Sequence, residues 1–363
     1  MRSHIQFEWT PCPPKERFRA GVSLHSHTLH SQESFDFIRR AGLRTPLVAT
    51  LIRAAESRYH GRHGKQFELE RAWWTPPLSP HEVRAQEISQ IERFGLQGLV
   101  AITDHDDIQA PIELRSDGQT TPLALEWSVP FGPALFHLGV FNLAPGRAPA
   151  LFQAMQEYRR LPVIGRLSEL LSELARNPGT LVVLNHPFWD ETGIGNERHE
   201  EAVRIFARMY RPFIHAIELN GLRPAGENER VRSFAASLDA TLISGGDRHG
   251  LEPNAVLNLT NAADFGEFAE EIRNGWSRLL FLNRYRRPHC LRLARNTIDM
   301  FRTYNAHARG WRAWTDRAFY RDENGAVKPL AAILAPNARA NRGVGQASTH
   351  SDRRRTMVAH KSV

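Results

Sequence analysis

Seven short runs rich in Val, Ile and Leu punctuate the chain: Ala20–Leu24, Gly98–Thr103, Leu123–Trp127, Ala134–Phe141, Thr180–Leu184, His215–Leu219 and Ala240–Ser244. Polar residues, Gly or Pro bound each of them, the mark of a buried strand. Helix signals fill most of the gaps between them. Pro80–Phe94 opens on Ser79-Pro80, a cap followed by a first-turn proline, and stops at Gly95. Leu167–Arg176 runs into Asn177-Pro178-Gly179, and Glu227–Leu238 and Phe265–Asn274 have a similar build. Strands alternating with helices predict an α/β layer or barrel. The step from Leu123 to Phe141 leaves no room for a helix, so its two strands predict a hairpin. No internal repeat is evident.

Two segments read as insertions: Ser34–Leu78, which carries Trp73 and Trp74, and Asn142–Leu161, mostly helical. Past Leu282 a basic helical stretch over Pro288–Arg302 precedes Trp311–Leu334. The expected organisation is an N-terminal segment over 1–17, a main unit over 18–285 (with 34–78 and 142–161 inserted), a helical extension over 286–334 and a basic tail over 335–363. The tail is poor in apolar residues and reads as disordered.

Composition narrows the class. Of 363 residues, 41% are hydrophobic and 24% charged, ordinary for a soluble globular protein. The formal charge is +8, of which the tail from Ala335 supplies +5 through six cations against Asp352. The small remainder gives no reason to expect a nucleic-acid surface on the body. Cys12 and Cys290 are too few for a disulfide framework or a thiolate cluster. Met1–Thr10 has no signal-like apolar stretch, and no apolar run is long enough for a bilayer. The expectation is a soluble cytoplasmic protein with no membrane partner, of unspecified oligomeric state.

The candidate chemistry sits where the strands end. Ala20–Leu24 runs into His25-Ser26-His27, Gly98–Thr103 into Asp104-His105-Asp106, Leu123–Leu125 into Glu126 and Ala134–Phe136 into His137. Thr180–Leu184 runs into Asn185-His186-Pro187, His215–Ile217 into Glu218, and Ala240–Ser244 through two glycines into Asp247-Arg248-His249. Loops at the carboxyl ends of barrel strands share one face, so ligands far apart in sequence can meet there. On an extended backbone the alternate residues of His-x-His point the same way. A lone strand-end His is usually an ordinary hydrogen-bonded residue; a series of them is a metal-site pattern. Imidazole and carboxylate without sulfur favour Zn, Mn or Fe. Eight such donors exceed what one tetrahedral ion needs, which predicts two or three ions.

In this order, His25-Ser26-His27-Thr28, Ile102-Thr103-Asp104-His105-Asp106, Asn185-His186-Pro187 and Gly246-Asp247-Arg248-His249 resemble the four motifs of the PHP (polymerase and histidinol phosphatase) domain family. The resemblance covers roughly Phe18 to Phe281, with Glu126 and His137 where the family places two further ligands. It implies a distorted (β/α)7 TIM-like barrel, here with insertions and a C-terminal helical extension. It also implies a two- or three-metal centre and phosphoester hydrolysis. Carried over residue by residue, the ligands are His25, His27, His105, Glu126, His137, His186, Asp247 and His249. The family usually adds an acidic or His ligand five or six residues after the second motif-one His. Those positions are Gln32, a poor substitute, and Glu33, which can supply the carboxylate.

The remaining roles follow from chemistry. Metal-bound water becomes a hydroxide nucleophile near neutral pH, so no Ser or Cys nucleophile is required. Asp104 is a candidate for orienting a ligating imidazole, or else a turn cap. Arg248, between two expected ligands, is a candidate phosphate clamp, or else a structural salt bridge. Arg223 is a weaker candidate for the same clamp, and His30 reads as a loop residue. His60, His63 and His81 read as surface residues. Trp73 and Trp74 form either a lid or, the better reading, core packing. The expected activity is a metal-dependent phosphoesterase acting on a small phosphorylated metabolite or nucleotide. The alternatives are a nuclease, an amidohydrolase of similar architecture, and a non-catalytic metal-binding module. Nucleic acid ranks below a small substrate as partner. Thr103-Asp104-His105-Asp106 and Asp247-x-His249 fit the amidohydrolase reading less well.

Overall fold

The computed structural model describes residues 3–10, 17–35 and 46–334. Cys12 and the basic tail over 335–363 lie outside the described residues. The strands, in chain order, are β1 (Ser3–Phe7), β2 (Ala20–Ser23), β3 (Glu33–Ser34), β4 (Ala72–Trp74), β5 (Gln97–Val100), β6 (Leu125–Phe131), β7 (Ala134–Phe141), β8 (Leu181–Leu184), β9 (Ala216–Asn220), β10 (Thr241–Gly245), β11 (Val256–Thr260), β12 (Ser277–Phe281), β13 (Ala318–Arg321) and β14 (Val327–Pro329). They form three sheets, ordered β1-β12-β11-β2-β5, β10-β9-β8-β7-β6 and β14-β13-β4-β3. The first two mix parallel and antiparallel pairs, and the third is antiparallel throughout. With the helices between them, the chain is an α/β protein.

One apolar core joins the two larger sheets. Val22 and Leu24 from one side meet Val183, Ala216 and Ile243 from the other, with Phe265, Phe268 and Ile272 of the helix Phe265–Arg273. Trp127, Val140 and Leu184 pack instead against Leu167, Leu171 and Phe206, apolar positions of Ile164–Ala175 and Asn196–Met209. Each buried Val, Leu, Ile or Phe side chain there contributes roughly 1.5–3 kcal/mol.

At one end of this core the two sheets are stitched together by backbone. Gly246 N and Asp247 N donate to Leu24 O (3.0 Å) and His25 O (2.8 Å), and His27 N donates to Arg248 O (2.9 Å). On the other side Glu126 N donates to Asp104 O (3.2 Å) and Asp106 N to Glu126 O (2.9 Å). Both seams run through the segments that carry the candidate ligands.

The expected hairpin is β6 and β7, paired from Leu125↔Val140 to Phe131↔Ala134. Pro80–Glu92 starts with a capping box between Ser79 and Glu82, as the Ser-Pro signal predicts. The N-terminal stretch is a strand of the first sheet, Ser3–Phe7 lying parallel to Ser277–Phe281.

The extension past 286 is only partly helical. His289–Phe301 is a helix, but Ala318–Arg321 and Val327–Pro329 form a hairpin. The physical cause is local: Asp322 Oδ1 accepts from Asn324 N (3.0 Å) and Ala326 N (2.9 Å), and Gly325 takes φ +81°. This hairpin joins Ala72–Trp74, so one insertion and the extension form a single module around Phe35, Phe67, Trp74, Met300 and Tyr320. Its last strand is Glu33–Ser34, paired with Trp73 and Trp74.

Candidate metal centre

The strand ends kink inward. His25, His186 and Asp247 have φ of +62°, +23° and +56°, a region that non-glycine residues seldom occupy. Each costs on the order of 1–3 kcal/mol and persists because surrounding bonds over-determine it. At His25 and Asp247 those bonds are the backbone stitches between the sheets. Gly245, just before, has to be glycine: a Cβ there would lie 1.7 Å from Glu218 Oε1.

The result is a set of imidazoles around one wholly buried carboxylate, Glu126. Its Oε2 lies 2.9 Å from His25 Nε2, 3.3 Å from His27 Nε2 and 3.4 Å from His105 Nε2. Its Oε1 lies 3.1 Å from His186 Nε2 and 3.5 Å from His137 Nδ1. Glu33 Oε2 sits 3.1 Å from His249 Nε2 and 3.5 Å from His105 Nε2. Asp247 Oδ1 faces His25 Nε2 (3.6 Å) and His27 Nε2 (3.7 Å). The His27 ring stacks between those of His105 and His249, at centroid distances of 4.7 and 4.2 Å. Four overlapping groups have ligand atoms all within 4.8 Å of one another: His27-Glu33-His105-His249, His25-His27-Glu126, His25-His186-Glu218 and His105-Glu126-His137.

The structure thus brings His25, His27, Glu33, His105, Glu126, His137, His186, Asp247 and His249 into one cluster, with Glu33 inward and Gln32 exposed. Burial alone would raise the Glu126 carboxyl; His25, His105 and His137 outweigh it and hold it well below the usual range. Burial pushes the His27 ring down, but Glu33, Asp247 and Glu126 raise it to about 10. At His105 burial wins, and the ring falls to about 4. Several imidazoles in stacking distance cannot all be charged without mutual repulsion. Among the described residues, His27 Nε2 and His137 Nδ1 are buried with no hydrogen-bond partner. Such orphaned donor atoms, aimed at a carboxylate among nitrogen and oxygen ligands, fit divalent cations.

A second layer holds the rings. Glu218 Oε1 lies 2.6 Å from His25 Nδ1, while its Oε2 accepts from His186 N (2.9 Å). Glu191 Oε2 lies 3.0 Å from His137 Nε2. Asp247 O lies 3.0 Å from His249 Nδ1, and Ser31 Oγ is 3.3 Å from His27 Nδ1 and accepts from His105 N (3.0 Å). Such contacts fix which ring nitrogen points inward. Glu218 is visible in sequence only as a strand end, and Glu191, in the loop past His186, carries no local signature at all.

Two expected catalytic residues take other places. Asp104 touches no imidazole: its oxygens accept from Thr28 N (2.5 Å) and Thr28 Oγ1 (2.7 Å). It fastens the loop behind His27, and burial pushes its carboxyl up to about 6. Arg248 makes a buried salt bridge, the other reading of its position, with Nη1 donating to Glu87 Oε1 at 2.7 Å. Its other donors meet Gln86 and the carbonyls of Gly250 and Leu251. The chain turns at Asp247, whose φ is +56°, and past that turn Arg248 points to Glu87 while Asp247 and His249 face the imidazoles.

The remaining candidates lie around the edge. Arg223 Nη2 is 3.4 Å from Asp247 Oδ2. His30 contacts Glu113 (2.9 Å) and His81 contacts Asp117 (3.0 Å), and His60 is exposed. The His63 side chain lies outside the described ones. Trp74 is packed in the small module, its ring 6.0 Å from His249, and Trp73 lies against Phe319. Among the described residues, no helix is long and apolar enough to cross a membrane.

No family model matches the chain, and neither does any curated protein. Among solved structures it is similar to an amidohydrolase from Chromobacterium violaceum with bound sulfate and no metal (14% identity, 63% of this chain and 88% of that one, TM-score 0.37). It is also similar to a protein provisionally described as a metal-dependent phosphoesterase from Bifidobacterium adolescentis (16%, 55% and 92%, 0.33). PsfC from Pseudomonas syringae is a third (13%, 78% and 100%, 0.42). At identities and scores this low, none of the three carries an argument about activity.

Proposed function

We propose that this chain is a metal-dependent phosphoesterase that hydrolyses a phosphate ester of a small metabolite or nucleotide. The observation that carries the reading is the convergence of His25, His27, Glu33, His105, Glu126, His137, His186, Asp247 and His249 on one buried site with orphaned ring nitrogens. In this reading the cluster would hold two or three ions of Zn, Mn or Fe, and His25, His27, Glu33, His105, Glu126, His137, His186, Asp247 and His249 would be their ligands. The two larger sheets act as one distorted (β/α)7 barrel of PHP type, a view supported by the ordered motifs and the stitched seams. The ions supply, when bound, a hydroxide from water near neutral pH and offset the charge on phosphoryl oxygens.

The protein's own residues orient and shield. Glu218 holds the far side of His25, so that Nε2 faces Glu126. Glu191 does the same for His137 from the open side. His25, His27 and Glu126 are fully enclosed, whereas the side chains of His105, His249 and Glu191 are 15%, 13% and 24% exposed. The substrate therefore enters, and its leaving group departs, on the side of these three residues.

The test is phosphate release from an aryl phosphate by protein loaded with Mn or Zn, with elemental analysis of the same sample. Activity that chelation removes and metal restores is the expected result. Fully loaded protein that hydrolyses no ester in a broad phosphate panel would overturn the reading. Cleavage of single-stranded DNA with steep salt dependence would replace it with nuclease activity.

A further inference from the structure

Arg223 follows β9, the strand that carries Glu218, and its guanidinium stands directly beside the donor cluster. Its Nη2 is 3.4 Å from Asp247 Oδ2, while Asp247 Oδ1 is the oxygen nearest His25 and His27. The guanidinium carbon lies over Trp189, 4.0 Å from the ring centroid. Trp189 belongs to the same loop as His186 and Glu191 and is 39% exposed. Among the described residues Arg223 Nε is buried without a hydrogen-bond partner, and Glu227 Oε1 is 3.9 Å from it.

The loop beneath is fixed from behind. Arg292 of the helix His289–Phe301 donates to Gly221 O and to Arg223 O (3.0 Å), and Tyr285 Oη donates to Arg223 O (3.3 Å). Arg292 itself lies over the Tyr285 ring at 4.3 Å. The backbone of Arg223 is thus anchored and its side chain is braced on an indole; its Nη2 makes one long hydrogen bond, to Asp247 Oδ2 at 3.4 Å, and its Nε makes none among the described residues. Arg248, by contrast, spends its donors on Glu87, Gln86 and two carbonyls.

We propose that Arg223, braced by Trp189, binds non-bridging oxygens of the substrate's phosphate on the Asp247 side of the cluster and selects phosphate monoesters over diesters. This rests on the phosphoesterase reading. The selectivity follows from counting oxygens: a monoester has three non-bridging ones, enough for the cluster and for a guanidinium fork, and a diester has two. A stacked, forked guanidinium is matched to that geometry, and an ammonium is not.

The experiment uses the full chain, loaded with Mn, as wild type, Arg223→Ala, Arg223→Lys and Trp189→Leu. It measures metal content, calorimetric binding of inorganic phosphate, and kcat/KM for an aryl phosphate monoester and for a bis-aryl diester. Metal content is expected to be the same in all four. In Arg223→Ala, phosphate affinity and monoester kcat/KM fall about 10- to 100-fold, the size of a lost charge-assisted hydrogen bond. Diester kcat/KM changes little, so the preference collapses. Arg223→Lys does not restore it, and Trp189→Leu shows a smaller loss of the same kind. Unchanged phosphate affinity and monoester turnover in a folded, metal-replete Arg223→Ala overturns the inference. So does loss of metal in that variant, which would make Arg223 a support for Asp247. If loaded wild type hydrolyses nothing yet Arg223→Ala still loses phosphate binding, the phosphoesterase reading fails while the anion site stands.

Discussion

Within three consecutive residues, Asp247, Arg248 and His249, the chain serves two buried polar regions of opposite kind. Arg248 enters a closed network: Glu87 takes its charge, and Asn254 links that network to Ser23, Leu24 and Ser26. Asp247 and His249 face a region that cannot satisfy itself, with His27 Nε2 and His137 Nδ1 left without partners and three imidazoles stacked together. Buried polar groups are nearly always paired, and an unpaired one is costly. The closed network therefore stabilises the fold, and the open one is shaped for something the polypeptide does not provide. Both regions hold buried charged groups. What separates them is which atoms are left over: ring nitrogens beside carboxylates in the open region, and a single amide oxygen, Asn254 Oδ1, in the closed one.

The largest test strikes the open region at its hub. Glu126→Gln keeps the shape but removes the charge that five imidazoles surround. Hydrolysis is expected to fall by about a thousandfold or more, several kcal/mol of lost transition-state stabilisation. Metal content should fall with it, while the circular dichroism spectrum stays unchanged. Equal activity and metal content in this variant would mean that Glu126 is part of a closed network after all.

The next test reverses the comparison. Arg248→Met leaves Glu87 buried and uncompensated, so denaturant unfolding should show a loss of about 3–5 kcal/mol. Metal bound per folded chain should be unchanged. A variant of normal stability that no longer binds phosphate would move Arg248 into the open region and restore it as a clamp.

The two regions were not equally legible in the sequence. The open one announces itself because His25, His27, His105, His186, Asp247 and His249 sit at the ends of continuous apolar runs, where a short motif is visible locally. Glu218 and Glu191 do not, because a single Glu in a strand or loop looks like any other. The direction of Arg248 is not legible, because the turn at Asp247, with φ +56°, leaves no local sequence signature. The small sheet was hidden for a different reason. Its strands are two to four residues long, and Ala318 pairs with Trp74 across a sequence gap that no local pattern registers. That sheet nevertheless matters to the site, since its last strand delivers Glu33 to His249.

A weaker perturbation probes how the open region is held. Glu218→Gln retains a contact to His25 but removes the carboxylate that makes its ring a stronger donor. Metal affinity or turnover should drop about 10- to 100-fold, as is usual for such supporting groups. Titration with Mn at fixed protein concentration would read it. A drop as large as that of Glu126→Gln would place Glu218 among the ligands themselves, in line with its place in the His25-His186-Glu218 group.

The smallest effect concerns pH and separates the two regions by sign. In chelated protein the His27 ring keeps its proton up to about 10, against an ordinary value of 6.5, because Glu33, Asp247 and Glu126 outweigh the effect of burial. A raised imidazole pKa stabilises the fold fully below the unfolded value and loses that contribution as pH climbs through the folded one. His25 and His137 are raised too and add slope of the same sign. The thermal midpoint of chelated protein should therefore fall by a few degrees between pH 6.5 and 10, and His27→Gln should reduce the slope. Ions bind the neutral ring, so their affinity strengthens over the same window. The gap between loaded and chelated midpoints should consequently widen as pH rises. A closed network like that of Arg248 and Glu87, whose charges meet each other rather than an ion, has no way to produce such a divergence. Parallel curves for the loaded and chelated forms would mean that cations do not occupy the cluster.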